Sequence, residues 1–178
     1  MNALMNPLKL TFLLCLLALL ARPCAAQSIT NPVASVTGSF YVSVDDHCAI
    51  FINGEIIHHG NLGTSRSPET SLKAGDRVLV HLSNDGGPRH FMCAFVSSDG
   101  KQVISFKKAD FKLVPEVGAK DFTAAQFQGW ANPKNTAKAQ KHKPKLPVKN
   151  YSESLWGDLD QCIIAAIVTQ QMISQSPQ

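Results

Sequence analysis

Apolar and polar residues alternate along several short stretches of this chain, which is the pattern of β-strands with one buried face. The first stretch covers residues 40–52, where two alternating runs lie on either side of a polar break at residues 45–47. The dipeptide Asn53-Gly54 follows directly, and it is a strong signal for a β-hairpin because both residues accept positive φ at low cost. We therefore predict two strands separated by the polar break, then a tight turn and a return strand over residues 55–59.

Similar apolar runs recur downstream at about ten-residue spacing, with turn-forming residues between them. The alternating run 77–82 and the almost continuously apolar run 91–96 predict two further strands, and shorter strands are predicted over 101–106 and 109–114. Residues 60–69 contain two glycines and one proline without any period, which predicts a turn. Short strands separated by turns at this spacing are typical of an all-β sandwich or barrel.

The pattern loosens toward the C-terminus. Residues 121–128 predict a short helix, and Trp130 is expected to pack this helix against the sheet. Residues 162–168 form an apolar run of strand length, which we assign to a buried strand that pairs far back in the sequence. The alternative is one helix over residues 158–173 that begins at an aspartate cap. Together these patterns predict a single all-β domain over residues 27–178, a β-sandwich of jelly-roll type.

Residues 1–26 have the organisation of a secretory signal peptide. Lys9 supplies a positive charge, residues 10–21 are an apolar run too short to span a bilayer, and residues 24–26 offer small side chains at a cleavage site. We therefore predict cleavage after Ala26 and a secreted, extracellular protein. No later apolar run approaches the length of a membrane-spanning helix, so no membrane span is expected.

The net charge of +4, from 17 basic and 13 acidic residues, is unevenly distributed along the chain. Without Lys9 and Arg22 the chain keeps 15 basic residues, and six of these are lysines between Lys134 and Lys149. The remaining 9 basic residues against 13 acidic ones give a body with a net charge of −4. Residues 132–150 contain three prolines, no acidic residue and no apolar period, which predicts a mobile Lys-rich loop. A basic loop on an acidic body is not the basic face of a nucleic-acid-binding protein, so we expect no nucleic-acid partner.

Asp45 and Asp46 stand in the polar break between two apolar runs, where a plain connection needs only one turn-forming residue. Adjacent carboxylates repel each other unless something binds them. The pair is therefore a candidate ligand site, with a solvated corner that starts a strand as the alternative. The dense turn after residues 77–82 contains Asn84 and Asp85, which complete such a site if the two turns lie side by side.

The sequence contains no organised catalytic motif. It has no G-x-S-x-G elbow, no P-loop, no dinucleotide fingerprint and no metal-hydrolase helix. Asp45 and Asp46 are adjacent, so they cannot flank a glycosidic bond at the separation that glycoside hydrolysis requires. We therefore expect a non-enzymatic protein. A hydrolase whose site is not visible as a motif is the remaining alternative.

Three cysteines, Cys48, Cys93 and Cys162, follow the predicted signal peptide. Three cysteines permit one disulfide in an oxidising compartment and leave one thiol over. Cys48 and Cys93 both lie in predicted apolar strands, so they can be bridged if those strands are neighbours, or they pack as small hydrophobic residues. Trp130 is a candidate to stack on a sugar ring, with a position in the core as the alternative.

Two blocks of the sequence resemble the galactose-binding-like jelly-roll modules of secreted bacterial proteins. In those modules a strand that ends in an acidic pair leads to a strand closed by Asn-Gly, and a Leu-Lys-x-Gly-Asp turn starts a strand that ends in Asn-x-Gly-Gly-Pro. The matching residues here are Asp45, Asp46, Asn53, Gly54, Leu72, Lys73, Gly75, Asp76, Asn84, Gly86, Gly87 and Pro88. The resemblance covers residues 40–104, and it implies the jelly-roll fold more firmly than it implies a function.

The first block also resembles the lectin domain of yeast flocculins, in which an acidic pair joined by a cis peptide holds a calcium ion that coordinates sugar hydroxyls. This resemblance implies Ca²⁺ bound by Asp45 and Asp46, with Asn84 or Asp85 completing the oxygen ligands. Together the two resemblances imply a secreted binding module for a carbohydrate or another extracellular surface component. The alternative is a structural or assembly protein of an extracellular matrix or envelope, which makes protein contacts and takes no small ligand.

Overall fold

The computed structural model describes residues 33–115, 122–135 and 153–174. Within these ranges the strands are β1 (Ser35–Ile52), β2 (Glu55–Arg66), β3 (Thr70–Lys73), β4 (Arg77–Ser83), β5 (Phe91–Ser97), β6 (Val103–Ser105), β7 (Phe111–Leu113), β8 (Lys134–Asn135), β9 (Leu155–Trp156) and β10 (Gln161–Ile167). The α-helices are α1 (Ala124–Gly129) and α2 (Gln170–Ser174), and a 3-10 turn covers Lys108–Asp110. None of the helices in these three ranges is long and apolar enough to cross a membrane. The predicted signal peptide lies outside the described residues.

The strand β1 is one continuous strand of 18 residues, where the sequence predicts two strands and a break. The polar residues between the two runs form a β-bulge, because the pairing register shifts between Val44 and His47 and Asp46 has a φ of 70°. On one edge, β1 pairs with β5 up to Val44 and with β4 from His47 onward. Its hairpin partner β2 follows the other edge on both sides of the bulge. The bulge is therefore the corner at which β1 passes from one wall of the fold to the other.

Two walls of antiparallel sheet share β1. The first wall contains β6, β5 and the first half of β1, with β3 on its other edge, and the second wall contains β2, the second half of β1, β4, β10 and β7. The core lies between them, because Phe91 on β5 contacts Phe111 on β7 with ring centroids 6.4 Å apart. The ring of Phe106 lies 5.8 Å from that of Phe40 on β1 and 5.6 Å from that of Phe111. The predicted all-β class is thus confirmed as an antiparallel sheet that curls around one core.

The predicted Asn53-Gly54 turn is confirmed, with φ angles of 51° and 86°. Its amide side chain is bonded to the turn between β3 and β4: Asn53 Nδ2 donates to Asp76 Oδ1 at 2.9 Å, and Asn53 Oδ1 accepts from the backbone N–H of Arg77 at 2.9 Å. Asp76 is 3% exposed and also accepts from the backbone N–H of Lys73 at 2.8 Å. These bonds hold the end of the first hairpin against the start of β4.

The predicted short helix is confirmed as α1, which covers part of the outer face of the second wall. Its Phe127 and the preceding Phe122 form a cluster with Leu79 of β4 and Ala165 of β10. The ring of Trp130 lies 5.1 Å from that of Phe122. Trp130 therefore anchors this helix on the sheet, as the sequence predicts.

Three segments test the other sequence predictions. Residues 60–66 do not form the predicted turn, because they continue β2 past the bulge and residues 63–66 pair with the first half of β1. The apolar run near the C-terminus is confirmed as a strand, since β10 pairs with β4 and β7, and the alternative helix over residues 158–173 is wrong. In the predicted Lys-rich loop, Lys134–Asn135 is the strand β8 and pairs with β9. Residues 136–150 of that loop lie outside the described residues.

Candidate functional site

A pocket of about 620 Å³ opens on the outer face of the second wall, beside the corner of β1. Because side chains alternate across a strand, the pairing register places outward-facing residues in rows that run across β2, β1, β4 and β10. The row nearer the corner is Asn61, His47, Ser83 and Gln161, and the next row is His59, Ala49, His81 and Ile163. Both rows belong to the lining of the pocket, with Val114 and Leu159 at the margin. The remaining lining residues are Cys48, Gly60, Leu82 and Cys162.

The two rows carry polar side chains and no permanently charged group, while apolar atoms supply more of the surface of the pocket than polar atoms do. Imidazoles, carboxamides and hydroxyls can each donate and accept hydrogen bonds, and the two rows contain all three types. No lysine, arginine, aspartate or glutamate is among the described residues that line the pocket. Ala49 is the smallest side chain in its row, so it leaves space between His59 and His81. Such a surface suits a polar, uncharged ligand.

His47 connects the pocket to the corner. Its Nδ1 lies 3.1 Å from Asn61 Oδ1, and its Nε2 lies 3.2 Å from Asp85 Oδ2. The hydrogen bond with Asn61, followed by the one with Asp85, raises the pKa of His47 above its ordinary value. One ring thereby links β1, β2 and the loop after β4, although its exposure to solvent keeps each contact weak.

The structure brings Asp46 and Asp85 together, and both take part in the corner itself. Asp46 Oδ2 accepts from the backbone N–H of Asp85 at 2.6 Å, and the backbone N–H of Asp45 donates to the carbonyl of His90 at 2.8 Å. The peptide bond between Asp45 and Asp46 is trans, unlike the cis peptide of the flocculin site. Within the described ranges, no group of three or more histidine, cysteine, aspartate or glutamate side chains is placed to hold a metal ion. Calcium binding by Asp45 and Asp46 stays a prediction.

Asn84 lies apart from the acidic pair and points its amide at the C-terminal part of the chain. Asn84 is 7% exposed, and its Nδ2 donates to Asp160 Oδ1 at 3.2 Å. The same carboxylate accepts from Arg89 at 2.7 Å, and Arg89 also donates to the carbonyl of Asp158 at 2.8 Å. The bond from Arg89, followed by the one from Asn84, lowers the pKa of Asp160. These contacts fix the loop between β4 and β5 against the bend that precedes β10.

Trp130 lies away from the pocket, whereas Cys48 and Cys162 border it. Trp130 packs on α1 and is not part of the pocket lining. Cys48 and Cys93 are free thiols, and both belong to the core cluster between the two walls. Burial raises the pKa of Cys48 to about 11 and raises that of Cys93 as well. Both cysteines therefore behave as small core residues.

A buried histidine connects the first wall to the segment before β9. His90 is 8% exposed, and its ring nitrogens lie 3.0 Å from Ser43 Oγ and 2.8 Å from Ser154 Oγ. Burial lowers the pKa of His90, and the nearby Asp45 carboxylate partly opposes this. Ser43 and Ser154 are only 5% and 0% exposed, so neither hydroxyl is open to a substrate as a nucleophile must be.

Sequence reasoning singled out the corner and did not find the pocket. The missed residues that define the pocket are His59, His81 and Gln161. Their only local signal is a polar residue at an outward position of an otherwise apolar strand, as His81 shows in the run 77–82. Their proximity depends on the register of β2, β4 and β10 on the sheet, which joins segments far apart in the sequence.

Comparison with family models, with curated proteins and with solved structures finds no match for this chain. The choice among functions is therefore made from the pocket and its chemistry.

Proposed function

We propose that this protein is a secreted, non-enzymatic binding module of the jelly-roll β-sandwich type that holds an uncharged carbohydrate in the pocket on its second wall. The observation that carries the proposal is the set of imidazole, carboxamide and hydroxyl side chains in the two rows, which combine donors and acceptors without permanent charge. Sugar hydroxyls both donate and accept hydrogen bonds, so they match imidazole, carboxamide and hydroxyl partners. The predicted signal peptide and the resemblance to galactose-binding-like modules support the same function.

The size and the apolar margin of the pocket support this ligand class as well. A volume of about 620 Å³ lies in the range of small-molecule sites, which is about 300–1,000 Å³. Ile163, Val114 and Leu159 offer apolar contact beside the polar rows, and a sugar ring presents C–H groups as well as hydroxyls. Phe51 packs against His81 with ring centroids 4.8 Å apart, which holds one imidazole of the site in place.

Binding of the purified protein to a glycan array, with and without a chelator, tests the proposal. Ala49→Leu fills the space between His59 and His81, so we expect it to abolish the array signal. Gln128→Ala is the matched control, because Gln128 is exposed on α1 and lies outside the pocket. The proposal fails if Ala49→Leu still binds the array. Loss of binding only on chelation, or only in Asp45→Asn, would place the ligand at the corner instead.

The second candidate function is assembly with other protein chains, and the edge of the second wall favours it. Among the described residues β2 pairs only with β1, and residues 56–65 of this strand contain no charged side chain. Ile56 and Leu62 on β2 are 45% and 70% exposed. A long uncharged edge strand is a template for pairing with another strand. Sedimentation should then detect oligomers that depend on protein concentration and that Leu62→Lys abolishes. Such oligomers, together with no binding on the glycan array, would support this function over carbohydrate binding.

A further inference from the structure

We propose that the pocket holds an internal segment of a linear, uncharged polysaccharide that lies across the strands, and not a single sugar unit. This inference rests on the proposed carbohydrate-binding function and adds the form of the ligand to it.

The length of the polar rows carries the inference. Each row has one residue from each of the four strands β2, β1, β4 and β10. Neighbouring strands lie about 4.8 Å apart, so the side chains of one row span about 14 Å from end to end. That span is longer than one sugar ring. The two rows are parallel, so hydrogen-bonding groups accompany a chain on both of its sides.

Both rows are accessible at β2. At β10 the row nearer the corner is accessible, whereas the second row ends at the half-buried Ile163 beside Val114. At one end, His59 and Asn61 are exposed on β2, and no further strand of the described chain pairs with β2. At the other end, Gln161 is exposed and the preceding Asp160 is exposed as well. A polymer can therefore enter and leave the pocket along the direction of the rows, whereas a closed pocket would accept only a chain end.

A short saccharide contacts only the residues near the centre of the rows, and a longer one also contacts the residues at their ends. Ala49 lies between His59 and His81 in its row, so a saccharide that contacts both imidazoles lies over it. Gln161 lies on the last strand and is reached only by a ligand that extends that far. Each additional neutral hydrogen bond strengthens binding by about fivefold, so affinity should grow with chain length until the rows are filled.

The test is the dependence of affinity on chain length, measured by titration calorimetry with the full chain. The probes are gluco- and manno-oligosaccharides of one to six units, and the same series cut from the polysaccharide that the glycan array identifies. We expect affinity to rise at least about tenfold from one unit to three and to change less than about twofold from four units to six. Affinity that is already maximal for the monosaccharide would overturn the inference.

A variant at the end of the row sharpens the test. Gln161→Ala should weaken binding of oligosaccharides of three or more units by about fivefold and leave the monosaccharide unchanged. Gln128→Ala serves as the control, and urea denaturation verifies that both variants fold. An equal loss for monosaccharide and hexasaccharide in Gln161→Ala would also overturn the inference. If no saccharide binds at any length, the proposed function itself fails, which is a different result from a flat dependence on length.

Discussion

Gly60→Ala tests the packing between β2 and β1. Gly60 lies directly opposite Cys48 in the register and faces the core. A Cβ added at Gly60 would lie 2.7 Å from Cys48 Sγ and 3.1 Å from Ser65 Oγ. Neither atom can move away easily, because Cys48 is 4% exposed within the core and Ser65 Oγ is bonded to His58 Nε2 at 2.8 Å.

The expected cost follows from the contact distances. Overpacking of a filled core costs about 1–3 kcal/mol, while the smaller backbone entropy of alanine in the unfolded chain returns about 0.4–1 kcal/mol. We therefore expect Gly60→Ala to lower the free energy of unfolding by about 1–2 kcal/mol. Urea denaturation measures this loss, and the fluorescence of Trp156, which is 0% exposed in the folded protein, reports the transition.

A second substitution tests the cause of the loss. Cys48→Ala removes the closest atom, so the double variant should recover about 1 kcal/mol relative to the sum of the two single variants. Gly129→Ala is the control, because a Cβ there meets nothing within 4 Å, and it should leave the free energy of unfolding unchanged or raise it by up to about 1 kcal/mol. A Gly60→Ala protein as stable as the wild type, or strict additivity with Cys48→Ala, would refute the reasoning.

Three further predictions concern other buried groups. Burial lowers the pKa of His90 below 6.5, so the unfolded chain binds this proton more readily than the folded protein does. Stability should therefore fall as the pH drops below 6.5, and His90→Gln should flatten the pH dependence of the urea midpoint. Asp76→Ala should lower the free energy of unfolding in urea by about 2 kcal/mol, because it leaves donors of Asn53 and Lys73 without their carboxylate. The control Asp99→Ala, at an exposed position, should lower it by less than about 0.5 kcal/mol. An equal loss in both variants would contradict this prediction. Cys48, Cys93 and Cys162 are free thiols, so a reductant should leave the melting temperature unchanged. Mass spectrometry after labelling in urea should find these three thiols reactive, and a lower melting temperature in reductant would reveal a disulfide.

Much of the sheet could be predicted from the sequence because its signals are local. The run 77–82, the run 91–96 and the Asn53-Gly54 turn each carry their own period or turn chemistry, and all three appear at the expected places. The end of β2 could not be predicted, because Gly60 and Gly63 have the composition of a turn. Their strand conformation depends on pairing with Cys48 and Val44 of β1, which is a tertiary effect.

The candidate site was harder to predict than the fold. Asp45 and Asp46 attracted attention because they interrupt an apolar pattern, and the interruption turned out to be a bulge that bends β1. The sequence cannot distinguish a bulge from a loop, since both place polar residues between apolar runs. The pocket residues give the opposite case: each is an ordinary outward residue of a strand, and only the register of four strands assembles them.

The pairing of β4 with β10 also determines when the protein can finish folding. β4 is an inner strand of the second wall only because Gln161–Ile167 pairs along its edge. During synthesis at about 5–20 residues per second, that edge waits on the order of ten seconds for its partner. The waiting segment, residues 78–82, contains no lysine, glutamate or proline to discourage pairing with another chain. We therefore expect nascent chains that stop before Gln161 to aggregate, and the cell to need a chaperone on this protein until its last strand has emerged.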